Sequence, residues 1–232
     1  MVTAITGDPV RTTINDDVTI SGTNITVRDM YVNGVVTITD LHQSIISGIF
    51  ARDGFVIAGD DGAGVYGNTF NSLHTGLNSS GPAIGFRIYT VNPLDPARAN
   101  ANTFVACSAR FCTTVGVQME QASTNTFIGL YIEACAKGMS VSECLRTTCV
   151  GGHFESNTTD VELLAGTSYF RMVGTNLTST TKITGANKEA TGNVFEEADV
   201  FHMVGTLKAG RVSSKWLDLI QADEDIITIN GG

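Results

Sequence analysis

Asn102-Thr103-Phe104-Val105-Ala106-Cys107-Ser108-Ala109-Arg110-Phe111-Cys112-Thr113-Thr114 lays without a gap onto Asn125-Thr126-Phe127-Ile128-Gly129-Leu130-Tyr131-Ile132-Glu133-Ala134-Cys135-Ala136-Lys137. The offset of 23 positions sets Phe104 on Phe127, Val105 on Ile128, Arg110 on Glu133 and Cys112 on Cys135. The same phrase opens at Asn68-Thr69-Phe70, and a relaxed copy stands at Asn193-Val194-Phe195. A further 22 positions carry Glu133 to Glu155, inside Gly152-His153-Phe154-Glu155-Ser156-Asn157. Self-similarity at a period near twenty residues is the mark of a solenoid.

The residues between the copies select the kind of solenoid. No leucine scaffold recurs, and no long stretch places apolar residues at the helical spacing. Short β-branched runs recur instead, among them Val18-Thr19-Ile20, Val35-Val36-Thr37-Ile38 and Phe55-Val56-Ile57, with turn residues between them. Glycine numbers 25 and proline only 4, which suits many tight corners and strands with neighbours on both sides. Asn and Thr at the corners can bond adjacent backbone or form ladders along the stack. The reading is all-β: a single right-handed parallel β-helix of about nine coils of roughly 21 residues, each coil about 4.8 Å above the last. A β-sandwich of short strands has no reason to keep a side-chain register across 23 positions.

The pattern divides the chain into an N-terminal arm or cap at 1–16, coils at 17–206 and a capping or oligomerisation tail at 207–232. Three of the four prolines fall between Thr75 and Ala101, where the copy spacing lengthens to 34, so an extruded loop is expected at about 75–101. A net charge of −9, from 23 acidic and 14 basic residues, argues against nucleic acid or an anionic membrane as partner. No apolar run reaches about 18 residues, so membrane insertion is not expected. Met1 to Asp8 lacks the charged start and apolar core of a secretory signal, which points to synthesis in a cytoplasm without export. The five cysteines are odd in number and form no C-x-x-C pair, so they read as a buried, reduced stack. No metal site or cofactor is expected: Asp60-Asp61-Gly62 fits a turn better than a calcium loop.

The runs Asn125 to Glu133 and Gly152 to Asn157 resemble the coils of bacteriophage tailspikes and other pectate-lyase-like β-helices, where N-x-F…(I/F)-E and G-x-(Y/F)-F-E-x-N recur. The resemblance covers roughly residues 17 to 205. It implies a homotrimer of parallel rods on a virion surface that binds host surface polysaccharide and in many cases cleaves it. Tailspikes usually carry a separate head-binding domain and a large trimerisation domain. This chain starts its coils within about twenty residues of Met1 and has a short tail. That departure keeps a second reading open, a non-catalytic protein that decorates or cements the capsid, attached to other virion proteins through its N-terminal arm. A free pectate-lyase-like enzyme is a third reading, weakened by the missing export signal.

Cleavage of a polysaccharide needs two carboxylates, about 5–5.5 Å apart for retention or about 6.5–9.5 Å for inversion. Glu133 and Glu155, one coil apart, are the candidate pair, with Arg110 in the same column as support. Two like charges there would raise the pKa of one partner toward that of a general acid. A structural Arg-Glu-Glu ladder accounts for the same recurrence. Glu120, His153 and Asp160 are further candidates for glycan contact; Glu120 shows no column partner, and His153 shares a strand face with Glu155.

Overall fold

The computed structural model describes residues 12–60, 64–77, 80–91, 98–186 and 193–196. The chain winds upward in layers. The stack opens with β1 (Thr12–Ile14) and β2 (Val18–Thr23), then β3 (Thr26–Val32) and β4 (Val36–His42), then β5 (Ile45–Ala51), β6 (Phe55–Gly59) and β7 (Val65–Tyr66). A longer layer follows: β8 (Thr69–Asn71), β9 (His74–Thr75), β10 (Ile84–Thr90) and β11 (Ala99–Asn100). Three layers then repeat one plan. They are β12 (Thr103–Val105), β13 (Ser108–Arg110), β14 (Val115–Glu120); β15 (Thr126–Ile128), β16 (Tyr131–Glu133), β17 (Lys137–Ser142); and β18 (Thr148–Val150), β19 (His153–Glu155), β20 (Thr159–Leu163). Above them lie β21 (Arg171–Val173), β22 (Asn176–Leu177), β23 (Thr181–Thr184) and β24 (Val194–Glu196).

Every pairing between these strands is parallel, and each strand pairs with its equivalents in the layers below and above. The result is a β-helix-like solenoid with three main faces. The first runs β3–β5–β8–β12–β15–β18–β21–β24 and the second β1–β3–β5–β9–β13–β16–β19–β22. The third runs β2–β4–β6–β10–β14–β17–β20–β23. In the lower layers β3 and β5 bend and serve both of the first two faces; higher up each splits into two short strands. Stacking starts at Thr12, which pairs with Met30, so the coils begin inside the stretch expected to be an arm. Residues 1–11 and the tail at 207–232 lie outside the described residues.

The coils are less uniform than a 21-residue period suggests. Along the first face the register partners Thr26, Ile45, Thr69, Thr103, Thr126, Thr148, Arg171 and Val194 give steps of 19, 24, 34, 23, 22, 23 and 23 residues. The long step is not one loop. Within 75–101 the strand β10 lies in full register between β6 and β14. From Thr75 to Ile84 the chain uses three more residues than its counterpart from Ala109 to Val115. From Tyr89 to Asn100 it uses eight more than from Glu120 to Ser123. The insertion therefore sits at both ends of an ordinary coil strand, because Ile84–Thr90 still supplies the alternating apolar residues the core requires.

Alternation fills the interior. Ile46, Phe70, Phe104, Phe127, Cys149 and Met172 form one inward column, and Val36, Phe55, Phe86, Val117, Met139, Val161 and Ile183 another. Phe104 and Phe127 stack with ring centroids 4.7 Å apart, and Phe55 and Phe86 at 4.9 Å. All five cysteines are buried and unbridged, and burial pushes the Cys107 and Cys149 thiols up to about 12. They pack as small apolar groups.

Corners carry residues in the left-handed conformation at a five-residue spacing: Ala101, Ala106, Phe111; then Thr124, Gly129, Ala134; then Arg146, Gly151, Ser156. One inner corner is held by side chains. Asn68, Asn102 and Asn125 are all buried. The Oδ1 of Asn102 accepts from the backbone N–H (3.2 Å) and Nδ2 (3.0 Å) of Asn68, and Asn125 Oδ1 accepts from the same two groups of Asn102. Each Nδ2 also donates to a carbonyl of the preceding layer: Leu41, Val65 and Ala99 in turn. The amide ladder expected from the Asn-rich corners is therefore present, and its geometry explains why the repeating phrase begins with Asn.

Candidate functional site

The second face gathers the charged and aromatic candidates. On β13, β16 and β19, register alignment sets Ser108, Tyr131 and His153 in one outward column and Arg110, Glu133 and Glu155 in the next. The inward residues between them, Ala109, Ile132 and Phe154, anchor each strand in the core. Alternation thus forces every second side chain of three successive layers onto one exposed patch.

The two carboxylates have different partners. Arg110 Nε donates to Glu133 Oε2 at 2.5 Å. That hydrogen bond outweighs the carboxylate's partial burial, which acts the other way, and holds Glu133 below the usual carboxylate range. Of the two carboxylates, Glu133 is the one that the Arg110 guanidinium keeps ionised. Glu155 Oε2 accepts from the Tyr131 hydroxyl at 3.1 Å and lies 3.3 Å from His153 Nε2. Tyr131 and His153 stack at 5.6 Å and 9° between planes, and Arg110 lies 5.9 Å from the Tyr131 ring centre. Burial raises the Tyr131 phenol to about 12, and its bonds to the carboxylates add to that, so the hydroxyl stays a donor at neutral pH. His153 and Glu155 are 40% and 45% exposed, enough for a ligand to reach both.

The direction of the Glu133 shift sets a pH dependence. Its folded pKa lies below the unfolded value, so the Arg110 bond stabilises the fold above the ordinary glutamate pKa, about 4.3. That contribution is lost as pH falls through the lowered folded value. Arg110→Gln is expected to cost at most about 1 kcal/mol at pH 7, because both groups are partly solvated. The difference from wild type should shrink as the pH falls below about 4.3 and through the lowered folded value; thermal unfolding on the way down checks it, and a gap that stays unchanged in acid counts against the ion pair as its source.

Two further candidates stand elsewhere. Asp160 is fully buried: Ser179 donates to it from both its backbone N–H (3.0 Å) and its hydroxyl, and Asn157 Nδ2 donates at 3.0 Å. It stands near the start of β20 and braces the corner where Ser179 leads into β23, and a glycan cannot reach it, so its assignment as a glycan contact is corrected. Glu120 projects from the third face and does have partners. Gln118 Nε2 donates to it at 2.6 Å, and Arg87, one layer below, approaches at 3.6 Å while lying over the Tyr89 ring at 4.6 Å. Arg87 was missed because it lies in the coil whose length breaks the repeat, although its offset from Gln118 matches that between Ile84 and Val115. On the same face Lys137 and Ser140 both bond Glu162 Oε2, at 2.7 and 2.9 Å.

No protein-family model matches the chain, and no curated protein matches it. Among solved structures it is similar to two trypsin-treated variants of QnrB1, a plasmid-mediated fluoroquinolone resistance protein. One shares 12% identity over 93% of this chain and 99% of that chain at a TM-score of 0.30; the other shares 10% over 94% and 100% at 0.25. Likeness at that level leaves family and function open.

Proposed function

We propose that this protein is a tailspike-type rod on a phage virion, a homotrimer of right-handed parallel β-helices that binds host surface polysaccharide along its second face. The observation that carries the reading is the exposed patch of Tyr131, His153, Arg110, Glu133 and Glu155, arranged in columns parallel to the rod axis. Sugars present apolar C–H faces and rows of hydroxyls. Flat rings supply stacking surface, and carboxylates and a guanidinium supply acceptors and donors in fixed positions. Layers about 4.8 Å apart offer a periodic track to a linear polymer.

Binding is favoured over cleavage because both carboxylates already hold donors in the free chain. If the rod also cleaves, the ionised Glu133 suits the nucleophile, with Glu155 as the second carboxylate of the pair. Glu133→Gln with an intact oligomer and unchanged cleavage removes that assignment. The Arg110–Glu133 ion pair and the Tyr131–Glu155 bond equally suit the non-catalytic second reading, a capsid decoration protein. Gold labelling on intact particles separates the two, at the tail for a spike and over the head for decoration.

The direct test is calorimetry against purified lipopolysaccharide and capsular polysaccharide. Tyr131→Ala and His153→Ala should each weaken binding at least about fivefold, since stacking platforms lose about 1–3 kcal/mol when truncated. A panel with no binding at all, or binding untouched by either substitution, overturns the assignment of this face.

A further inference from the structure

The first face differs from the other two in chemistry. From β5 to β18 its outward side chains are Ile45, Thr69, Thr103, Thr126 and Thr148 in one column, beside Ser47 and Asn71 and then Val105, Ile128 and Val150 in the other. None of these is ionisable, in a chain with 37 charged side chains and a net charge of −9. Ile45, Ile128 and Val150 stand 49%, 42% and 37% exposed. Arg28 and Arg171 mark where the uncharged region ends, one layer below and one above.

The corner bordering the aliphatic column carries a second signature. Its left-handed residues in successive layers are Gly48, Ser72, Ala106, Gly129, Gly151 and Gly174. The conformation alone does not impose that smallness, because Phe111, Glu143, Arg146 and Tyr169 adopt it at other corners. Nor does packing among the described residues in the upper layers: a Cβ added at Gly129, Gly151 or Gly174 meets nothing within 4 Å there.

We infer that this face and its small-residue corner are the surface on which copies of the chain pack against one another, with the corner and the Val105–Ile128–Val150 column next to the rotation axis. The inference rests on the oligomeric reading above and says which face the subunits share. Around an axis parallel to the rod, residues nearest the axis meet their own copies at the same height. A charged column there would set like against like, and the chain's net negative charge already opposes association. Valine and isoleucine pack against themselves, and threonine hydroxyls both donate and accept. Small corner residues let the backbones approach closely. The second face, with its ion-paired and aromatic columns, is left turned toward solvent and ligand.

Ile128→Cys and, as control, Ser142→Cys on the third face should be treated with a short bis-maleimide under native conditions, where the five native thiols are buried. Mass in solution is measured in parallel by light scattering, together with Ile128→Arg. The expected result is a wild-type mass of three times the 24.5 kDa chain. Ile128→Cys should link between chains and Ser142→Cys should not. Ile128→Arg should be monomeric, with its β-sheet circular dichroism and its polysaccharide affinity per chain retained. A trimer that persists in Ile128→Arg, without linking through position 128, overturns the choice of face and leaves the trimer standing. A wild-type monomer overturns both.

Discussion

Asn125→Ala lowers the stability of the rod by about 3–5 kcal/mol, the sum of stranding several buried polar groups at about 1–3 kcal/mol each. Asn125 has no exposed surface. Its removal leaves the Asn102 backbone N–H and one Nδ2 proton of Asn102 without an acceptor, and the Ala99 carbonyl without its donor. Water cannot replace them without opening the core. Asn125→Asp tests the mechanism further. It keeps the acceptor oxygen but loses the donor to Ala99 and buries a charge, so it should be at least as harmful at pH 7 and recover in part on acidification as the carboxyl protonates. Denaturant unfolding of the three proteins gives the ordering. A loss below about 1 kcal/mol for Asn125→Ala would show that the ladder is not what holds this corner.

Phe127→Ala is the second large effect. The side chain is 1% exposed and stacks on Phe104, with Cys149 above it in the same column. Loss of the ring removes its transfer free energy and leaves a cavity between two layers that cannot close, because each is held at strand spacing by its backbone ladder. The expected cost is about 3–5 kcal/mol, or roughly 10 °C in the unfolding midpoint for a chain of this size. Solenoid stability is carried by interfaces between neighbouring layers, so amide exchange should rise most in the layers on either side of Phe127. Exchange that rises evenly along the rod would argue for a more global cooperativity than nearest-neighbour stacking provides. The exposed Val150→Ala, one layer up on the outer side of the same face, serves as the mild control.

Much of this architecture was readable before any coordinates. The 23-position offset between Phe104 and Phe127 is the actual strand register, and so is the 22-position offset between Glu133 and Glu155. It could be read because in a solenoid contacts between layers are nearly fixed offsets along the chain, so packing leaves a periodic trace in one sequence. The Asn ladder and the shared column of Cys112 and Cys135 were legible for the same reason.

Tertiary structure decided what periodicity does not encode. The role of Ile84–Thr90 was hidden because extra residues on both sides of β10 shift its phase, and only pairing with β6 and β14 restores it. Asp160 and Glu120 look alike in sequence, one carboxylate each near a strand. Strand parity puts both on the side opposite the inward Val161 and Met119, yet Asp160, at the start of β20, is buried by the corner that brings Ser179 and Asn157 onto it, while Glu120, at the end of β14, meets Gln118 and Arg87 near solvent. The state of Glu133 depends on a single 2.5 Å bond to Arg110, a distance set by side-chain geometry across two layers. The repeat, by itself, determined which residues share a column. Whether a column faces core or solvent, and which charges in it meet, depended on where each corner turns the chain, since a shift of one residue moves a side chain to the opposite face.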